Sequence, residues 1–291
     1  MPHTKRDGVK LYYEDTGEGY PIVFVHEFGG DVRSWEAQVR YFSRRYRCIV
    51  TSARGYPPSD VPTDEASYGW ETSLADLVHV MDHLDIEKAH VVGLSMGGYM
   101  VLMLAMRHGG RVSAMVSASG GSGAYEPTRE EFIESALAAA ARMQMSGEVP
   151  AESMGLAANR IQLKLKDPRG WQEFVDHLAE HSAEGSMHTM RRVQAARPSL
   201  YDFEGELAAV TAPTLLMVGD EDESCLDVNL FMKRVMPMAG LSVFPKSGHL
   251  INLEDPARFN RELEDFFNAA EAGRWPTRDM SADARQMFER D

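Results

Sequence analysis

Cysteine is scarce. Cys48 and Cys225 are the only two in 291 residues, too few for a disulfide framework in a chain this long and not spaced as a metal clip. A stapled secreted scaffold is thereby excluded, and a reducing, cytoplasmic setting is expected. No apolar run approaches the roughly 20 residues that a bilayer span requires. The stretch Met1–Lys10 is polar and charged, with no apolar core behind its basic residues, so neither a membrane protein nor a secretory leader is expected. Basic charge is also short: 30 Lys and Arg stand against 44 Asp and Glu, a formal net charge of -14. That balance works against phosphate backbones and anionic lipid surfaces, so neither nucleic acid nor a membrane is expected as a partner. No phosphate-cradling G-x-x-x-x-G-K occurs, and Gly17-x-Gly19 lacks a third glycine and precedes a strand rather than following one.

What is present reads as an ordinary globular protein. Hydrophobic residues make up 44% and charged residues 25%, and the length suits one large α/β domain carrying an insertion, or two compact domains. Six short, apolar, β-branched runs read as strands: Pro21–His26, Arg47–Thr51, Ala89–Gly93, Val112–Ala118, Pro213–Gly219 and Leu241–Phe244. Each is continuous rather than alternating in hydrophobicity, as strands buried on both faces of a mostly parallel sheet must be, and helical patterns separate them. Val9–Glu14 is weaker and, with Gly17 and Gly19 ahead of Pro21, predicts a leading antiparallel edge hairpin, which would make the sheet mixed.

Between Ala118 and Pro213 the rhythm changes. Ala, Met, Glu and Arg at helical spacing dominate from Glu130 to Arg192, including the alanine run Ala138–Ala141, and no strand pattern appears. Residues 121–210 are therefore expected to form a helical insertion, a cap over one end of the sheet, with residues 1–120 and 211–291 as the core. An amphipathic helix is expected from Pro256 to about Ala270. The charged tail Gly273–Asp291 is open to loose packing or mobility.

Gly93-Leu94-Ser95-Met96-Gly97 matches G-x-S-x-G and lies between a buried strand and the helical pattern Tyr99–His108. A sharp strand-to-helix turn strains the serine backbone and leaves no room for flanking side chains, a need that Gly93, Gly97 and Gly98 meet. The hydroxyl also sits at a helix N-terminus, where peptide dipoles favour developing negative charge. A serine hydroxyl is a weak nucleophile at neutral pH and requires a base and a group to orient that base. His249, in the loop after the last predicted strand, is the candidate base. Gly219-Asp220-Glu221-Asp222 follows the preceding strand and offers the carboxylate, with Asp222 preferred and Asp220 its rival.

The elbow Gly93–Gly98, the acid turn Gly219–Asp222, the loop Ser247-Gly248-His249 and Arg54-Gly55 after an early strand occur in one order. On these motifs the chain resembles the α/β-hydrolase superfamily across nearly its whole length, the cap excepted. The resemblance implies an α/β-hydrolase fold and a cofactor-free acyl transfer. It also implies an oxyanion hole made by the N–H groups of Met96 and Phe28. The family's alternative acid position, after the strand ending near Ser119, reads Ser119-Gly120-Gly121-Ser122-Gly123 and holds no carboxylate.

The oxyanion loop departs from the usual His-Gly-x. It reads His26-Glu27-Phe28-Gly29-Gly30, so Glu27 is either a surface carboxylate or one aimed into the pocket as a modulator. Its spacing to Gly30 is similar to that in dienelactone hydrolases, where the acid helps control the nucleophile. Buried near Ser95, Glu27 would be expected to have a raised pKa. His26 is expected to bond neighbouring backbone.

His177 and His181 have the i, i+4 spacing of metal ligands, but no Glu stands between them and no third ligand is evident. Asp220, Asp222 and Glu223 lack the spacing of a Ca²⁺ loop. No metal is expected. Met143, Met145, Met154, Met187 and Met190, with Trp171 and Phe174, either line a pocket or pack the cap.

The function expected is that of a serine hydrolase cleaving a small carboxylic ester. Lactonases and carbon–carbon bond hydrolases of aromatic degradation share a Ser-Met-Gly-Gly elbow and a helical cap and remain alternatives, as does a non-catalytic ligand-binding protein on the same fold. The small-molecule substrate and the oligomeric state are left open by the residues.

Overall fold

The computed structural model describes residues 2–280. Eight strands form one sheet: β1 (His3–Arg6), β2 (Val9–Thr16), β3 (Tyr20–Val25), β4 (Tyr46–Thr51), β5 (Ala89–Leu94), β6 (Val112–Ala118), β7 (Thr214–Gly219) and β8 (Ala239–Phe244). They lie in the order β1-β2-β4-β3-β5-β6-β7-β8. All six sequence-predicted strands are present within two residues at each end, and they make the parallel part, from β4 to β8. Every residue of β5 and β7 is buried, which is why these runs are apolar without alternation.

The antiparallel edge differs in detail from its expectation. Its hairpin joins β1 to β2 through Asp7-Gly8, and β2 then pairs with β4 rather than with β3. β1 escaped sequence reading because its four residues, His-Thr-Lys-Arg, bury only Thr4 and are held by backbone bonds to β2.

Two helix groups flank the sheet. In the first, α1 (Glu36–Phe42) packs against the C-terminal helix; in the second, α2 (Trp70–His83) packs against α3 (Met96–Arg107). α3 lies on β5 and β6, so the elbow between β5 and α3 is held from both sides. Trp35, Phe24 and Phe259 form a buried aromatic cluster, with Phe24 and Phe259 ring centroids 5.2 and 6.1 Å from that of Trp35.

Between β6 and β7 the described chain holds helices joined by turns, and no strand: α4 (Arg129–Ser146), α5 (Ala151–Gly155), α6 (Ile161–Lys166), α7 (Pro168–Ala179) and α8 (Ala183–Thr189). A π-helical turn, Met190–Gln194, continues α8, and α9 (Glu204–Ala208) leads back to the sheet. The alanine run lies in α4, which ends at Gly147 in the left-handed conformation (φ 70°).

After β7 come α10 (Glu223–Val235), then β8, α11 (Ile251–Glu254) and α12 (Pro256–Glu271), the last capped by the Asp255 side chain. The first part of the tail is docked rather than loose. Trp275 donates to the Met238 carbonyl at 2.8 Å, meets the Phe266 ring edge-on and lies over Gly240. The remainder of that tail, 281–291, lies outside the described residues. No helix among the described residues is long and apolar enough to cross a membrane.

Candidate active site

Ser95 occupies the turn between β5 and α3 with φ 54° and ψ -108°, a left-handed conformation that only surrounding packing sustains. Steric demand explains its neighbours. A Cβ on Gly93 would lie 2.1 Å from the Gly97 carbonyl oxygen, and one on Gly97 would lie 2.0 Å from that of Val25. The second contact matters for the chemistry as well as the packing. It presses the elbow directly against the end of β3, so Met96 and the loop bearing Phe28 are brought side by side, and Phe28 lines the same cavity as Ser95.

His249 and Asp222 meet 27 residues apart in sequence, with Nδ1 2.7 Å from Asp222 Oδ2 and both side chains buried. Asp220 does not compete for the imidazole: its Oδ1 accepts from the Ser247 backbone N–H at 3.2 Å. Burial alone would raise Asp222, but the charge and hydrogen bond of His249, with help from Ser224 and Cys225, hold it below its ordinary value. For His249 the balance is the mirror image. Burial works to lower it, and the Asp222 charge and hydrogen bond outweigh burial and hold the imidazole above its ordinary value.

Ser95 and His249 line one cavity of about 290 Å³, with Phe28, Phe132, Ala136, Met154 and Met190 on its apolar walls. Of the methionines in the helical segment, Met154 and Met190 line it, Met143 and Met187 are buried in packing, and Met145 is exposed. Trp171 is a packing residue whose Nε1 donates to the Gly155 carbonyl at 2.8 Å.

Glu27 is not on the surface: it is 1% exposed, and its Oε2 lies 4.0 Å from His249 Nε2, the nitrogen that Asp222 leaves free. The expectation of a raised pKa is overturned. Burial does push Glu27 up, but Arg160 Nη2, donating to Oε2 at 2.5 Å, and the nearby His249 outweigh it and leave the carboxyl below its ordinary value. Arg160 comes from the helical segment, 133 residues away in sequence, and no spacing rule connects the two. His26 behaves as expected, its Nδ1 donating to the Glu27 carbonyl at 2.6 Å and its Nε2 accepting from the Ala53 N–H at 3.0 Å.

Removing one partner of a buried ion pair strands the other charge. Arg160→Met is therefore expected to lower unfolding stability by about 3 to 5 kcal/mol. Adding Glu27→Gln should restore most of it, read by denaturant melts of the single and double variants at pH 7. An additive loss in the double variant would show that the pair is not the source.

The histidine loop is held from beneath and above by residues that sequence reading missed. The Glu254 carboxylate accepts from the Gly248 N–H at 2.9 Å and the Leu250 N–H at 3.2 Å, the two amides that flank His249. Burial pushes the pKa of Glu254 up, against the pull of those amides and of Lys166. Lys166 Nζ reaches Glu254 at 3.2 Å and Ser247 Oγ at 2.6 Å, and the His249 N–H donates to the Asn159 carbonyl at 2.6 Å. Arg160 and Lys166 lie in the run Asn159–Lys166, where polar and apolar residues alternate, and nothing in that pattern signals these contacts.

Among the described residues one group of side chains combines metal-ligand atoms, Asp222, Cys225 and His249, within 4.8 Å of one another. Its imidazole nitrogen and carboxylate oxygen are already bonded to each other. His181 lies elsewhere, its Nε2 3.4 Å from Asp31 Oδ2.

Comparison with known proteins agrees with this fold. A family model described as alpha/beta hydrolase fold matches residues 20–256. The chain is 27% identical over 271 residues to the AB hydrolase superfamily protein YisY of Bacillus subtilis, covering 90% of this chain and 96% of that one. It is 26% identical over 275 residues to the 2-hydroxy-6-oxononadienedioate/2-hydroxy-6-oxononatrienedioate hydrolase of Paraburkholderia xenovorans, covering 89% and 90%. Among solved structures it superposes on a thermophilic esterase from Thermogutta terrifontis with a TM-score of 0.81 at 26% identity, over 92% of this chain and 97% of that one. A mostly parallel eight-stranded sheet, a strained serine at the turn after β5 and a match over most of its length place the chain in the alpha/beta hydrolase fold family, as a hydrolase.

Proposed function

We propose that Ser95, His249 and Asp222 act as nucleophile, base and orienting acid in the hydrolysis of a small, uncharged carboxylic ester or lactone. The observation that carries this reading is the convergence of Ser95 and the Asp222–His249 pair on one largely apolar cavity. His249 takes the Ser95 proton as Oγ attacks the carbonyl carbon, and Asp222 stabilises the imidazolium. The backbone N–H groups of Phe28 and Met96 bind the oxyanion. Collapse breaks the ester bond, and the leaving alkoxide takes the proton from His249. Water, deprotonated by His249, then attacks the acyl-enzyme, the acid departs and Ser95 regains its proton. Residues 121–210 serve as the cap, since Asn159 and Arg160 line the cavity while Asn159 and Lys166 bond the histidine loop.

Charge supports an uncharged substrate. Arg160 is the one Lys or Arg lining the cavity among the described residues, and Glu27 already occupies it. An ionised Glu27 beside His249 would repel a carboxylate entering the site. A dienedioate of the kind named for the Paraburkholderia relative would meet that repulsion without an unpaired Lys or Arg in the cavity to offset it. The esterase reading predicts hydrolysis of short p-nitrophenyl esters or simple lactones by the wild type, covalent labelling of Ser95 by a fluorophosphonate, and no turnover of ring-cleavage dienones. Dienone turnover with inert esters would favour the carbon–carbon bond hydrolase, and ligand binding with no labelling would favour a non-catalytic protein.

Glu27 has a predictable effect on the pH profile. Ionised and 4.0 Å from Nε2, it stabilises the imidazolium and so raises the pKa of His249, while kcat/KM requires the neutral base. Glu27→Gln should therefore move the acidic limb of the kcat/KM profile to lower pH, by about 1 unit. An unmoved limb with unchanged kcat would remove Glu27 from the catalytic account.

A further inference from the structure

Apart from Ser95, Gln194 is the one buried polar side chain lining the cavity that makes no hydrogen bond among the described residues. It is 6% exposed, and its Oε1 is buried without a donor. An orphaned buried acceptor is disfavoured by about 1 to 3 kcal/mol, so such groups call for an explanation. The backbone supplies a second observation. Gln194 closes the π-helical turn Met190–Gln194, in which the Ala195 N–H reaches back to the Met190 carbonyl at 2.9 Å, and both ends of the turn line the cavity. Isolated π turns are less stable than continued α-helix and recur at functional sites. The serine hydroxyls that share the cavity wall at Ser122 and Ser224 are engaged by Cys225 and Asp222.

We propose that Gln194 is a specificity-determining residue that hydrogen-bonds a neutral polar group of the substrate, a hydroxyl or an amide N–H, held beside the scissile carbonyl. The inference rests on the hydrolase reading of this same cavity. Rotation about the last side-chain bond lets the amide offer either its oxygen or its N–H₂ to the substrate. The preferred substrate is then a hydroxy- or acylamino-substituted ester or lactone rather than a plain alkyl ester.

The test compares p-nitrophenyl butyrate with p-nitrophenyl 3-hydroxybutyrate and p-nitrophenyl 4-acetamidobutyrate, on wild type, Gln194→Met and Ser95→Ala. Wild type should favour at least one polar ester over butyrate by about tenfold or more in kcat/KM, the equivalent of one hydrogen bond. Gln194→Met should erase that preference, leave butyrate turnover within about threefold and not lower Tm, because methionine fills the space without an orphaned acceptor. Intrinsic ester reactivity cancels when the two proteins are compared. No preference in the wild type, a preference that survives Gln194→Met, or a uniform loss on all three esters accompanied by a lower Tm would overturn the proposal. If Ser95→Ala hydrolyses all three as fast as wild type, the assignment of Ser95 in this cavity as the nucleophile fails, and the role of Gln194 falls with it.

Discussion

Ser95→Ala is expected to lower kcat on the best ester by about a million-fold, with the fold intact and KM little changed. The size follows from how the three groups act. Without the hydroxyl there is no acyl-enzyme, and His249 and Asp222 have nothing to activate, so their separate contributions vanish with it. His249→Ala should do nearly the same, and the double variant should be no worse than either single one, because groups working as a unit are not additive. Steady-state kinetics with active-site titration would read this. Residual activity within about a hundredfold of wild type in Ser95→Ala would mean that the reaction runs through another group.

Asp222→Asn should lower kcat by about ten-thousand-fold, whereas Asp220→Asn should stay within about tenfold of wild type. The two aspartates are separated by one residue, but their surroundings differ. Asp222 is wholly buried with Oδ2 2.7 Å from His249 Nδ1, while Asp220 is half-buried and caps the Ser247 amide. An asparagine at 222 can turn its N–H₂ toward Nδ1, which then serves as acceptor and leaves the proton on Nε2, the nitrogen that must take up the serine proton. Equal losses in the two variants would show that the turn as a whole, rather than one carboxylate, supports the histidine.

Much of this site was legible before any coordinate. Strand runs such as Ala89–Leu94 are continuous because both faces of the sheet are covered, and that pattern survives in sequence without help from distant residues. The elbow was legible for a related reason: the glycines at 93 and 97 are required by backbone contacts within and beside the turn itself. Strand β1 of the leading hairpin was missed because backbone bonds hold it and its side chains are mostly polar.

By itself, then, the sequence determined the chain of buried strands, the strained serine turn between β5 and α3, and the order of serine, acid and histidine. These are local consequences of periodicity, of glycine sterics and of residue type. Tertiary structure alone decided which aspartate meets His249, that Glu27 turns inward and stays ionised beside Arg160, that Glu254 and Lys166 hold the histidine loop, and that Gln194 lines the cavity with its Oε1 unpartnered. Each of these depends on two or more groups brought within a few ångströms from distant parts of the chain or from opposite sides of one turn. The ionisation and hydrogen bonding of a buried group are set by those neighbours, not by its own place in the sequence.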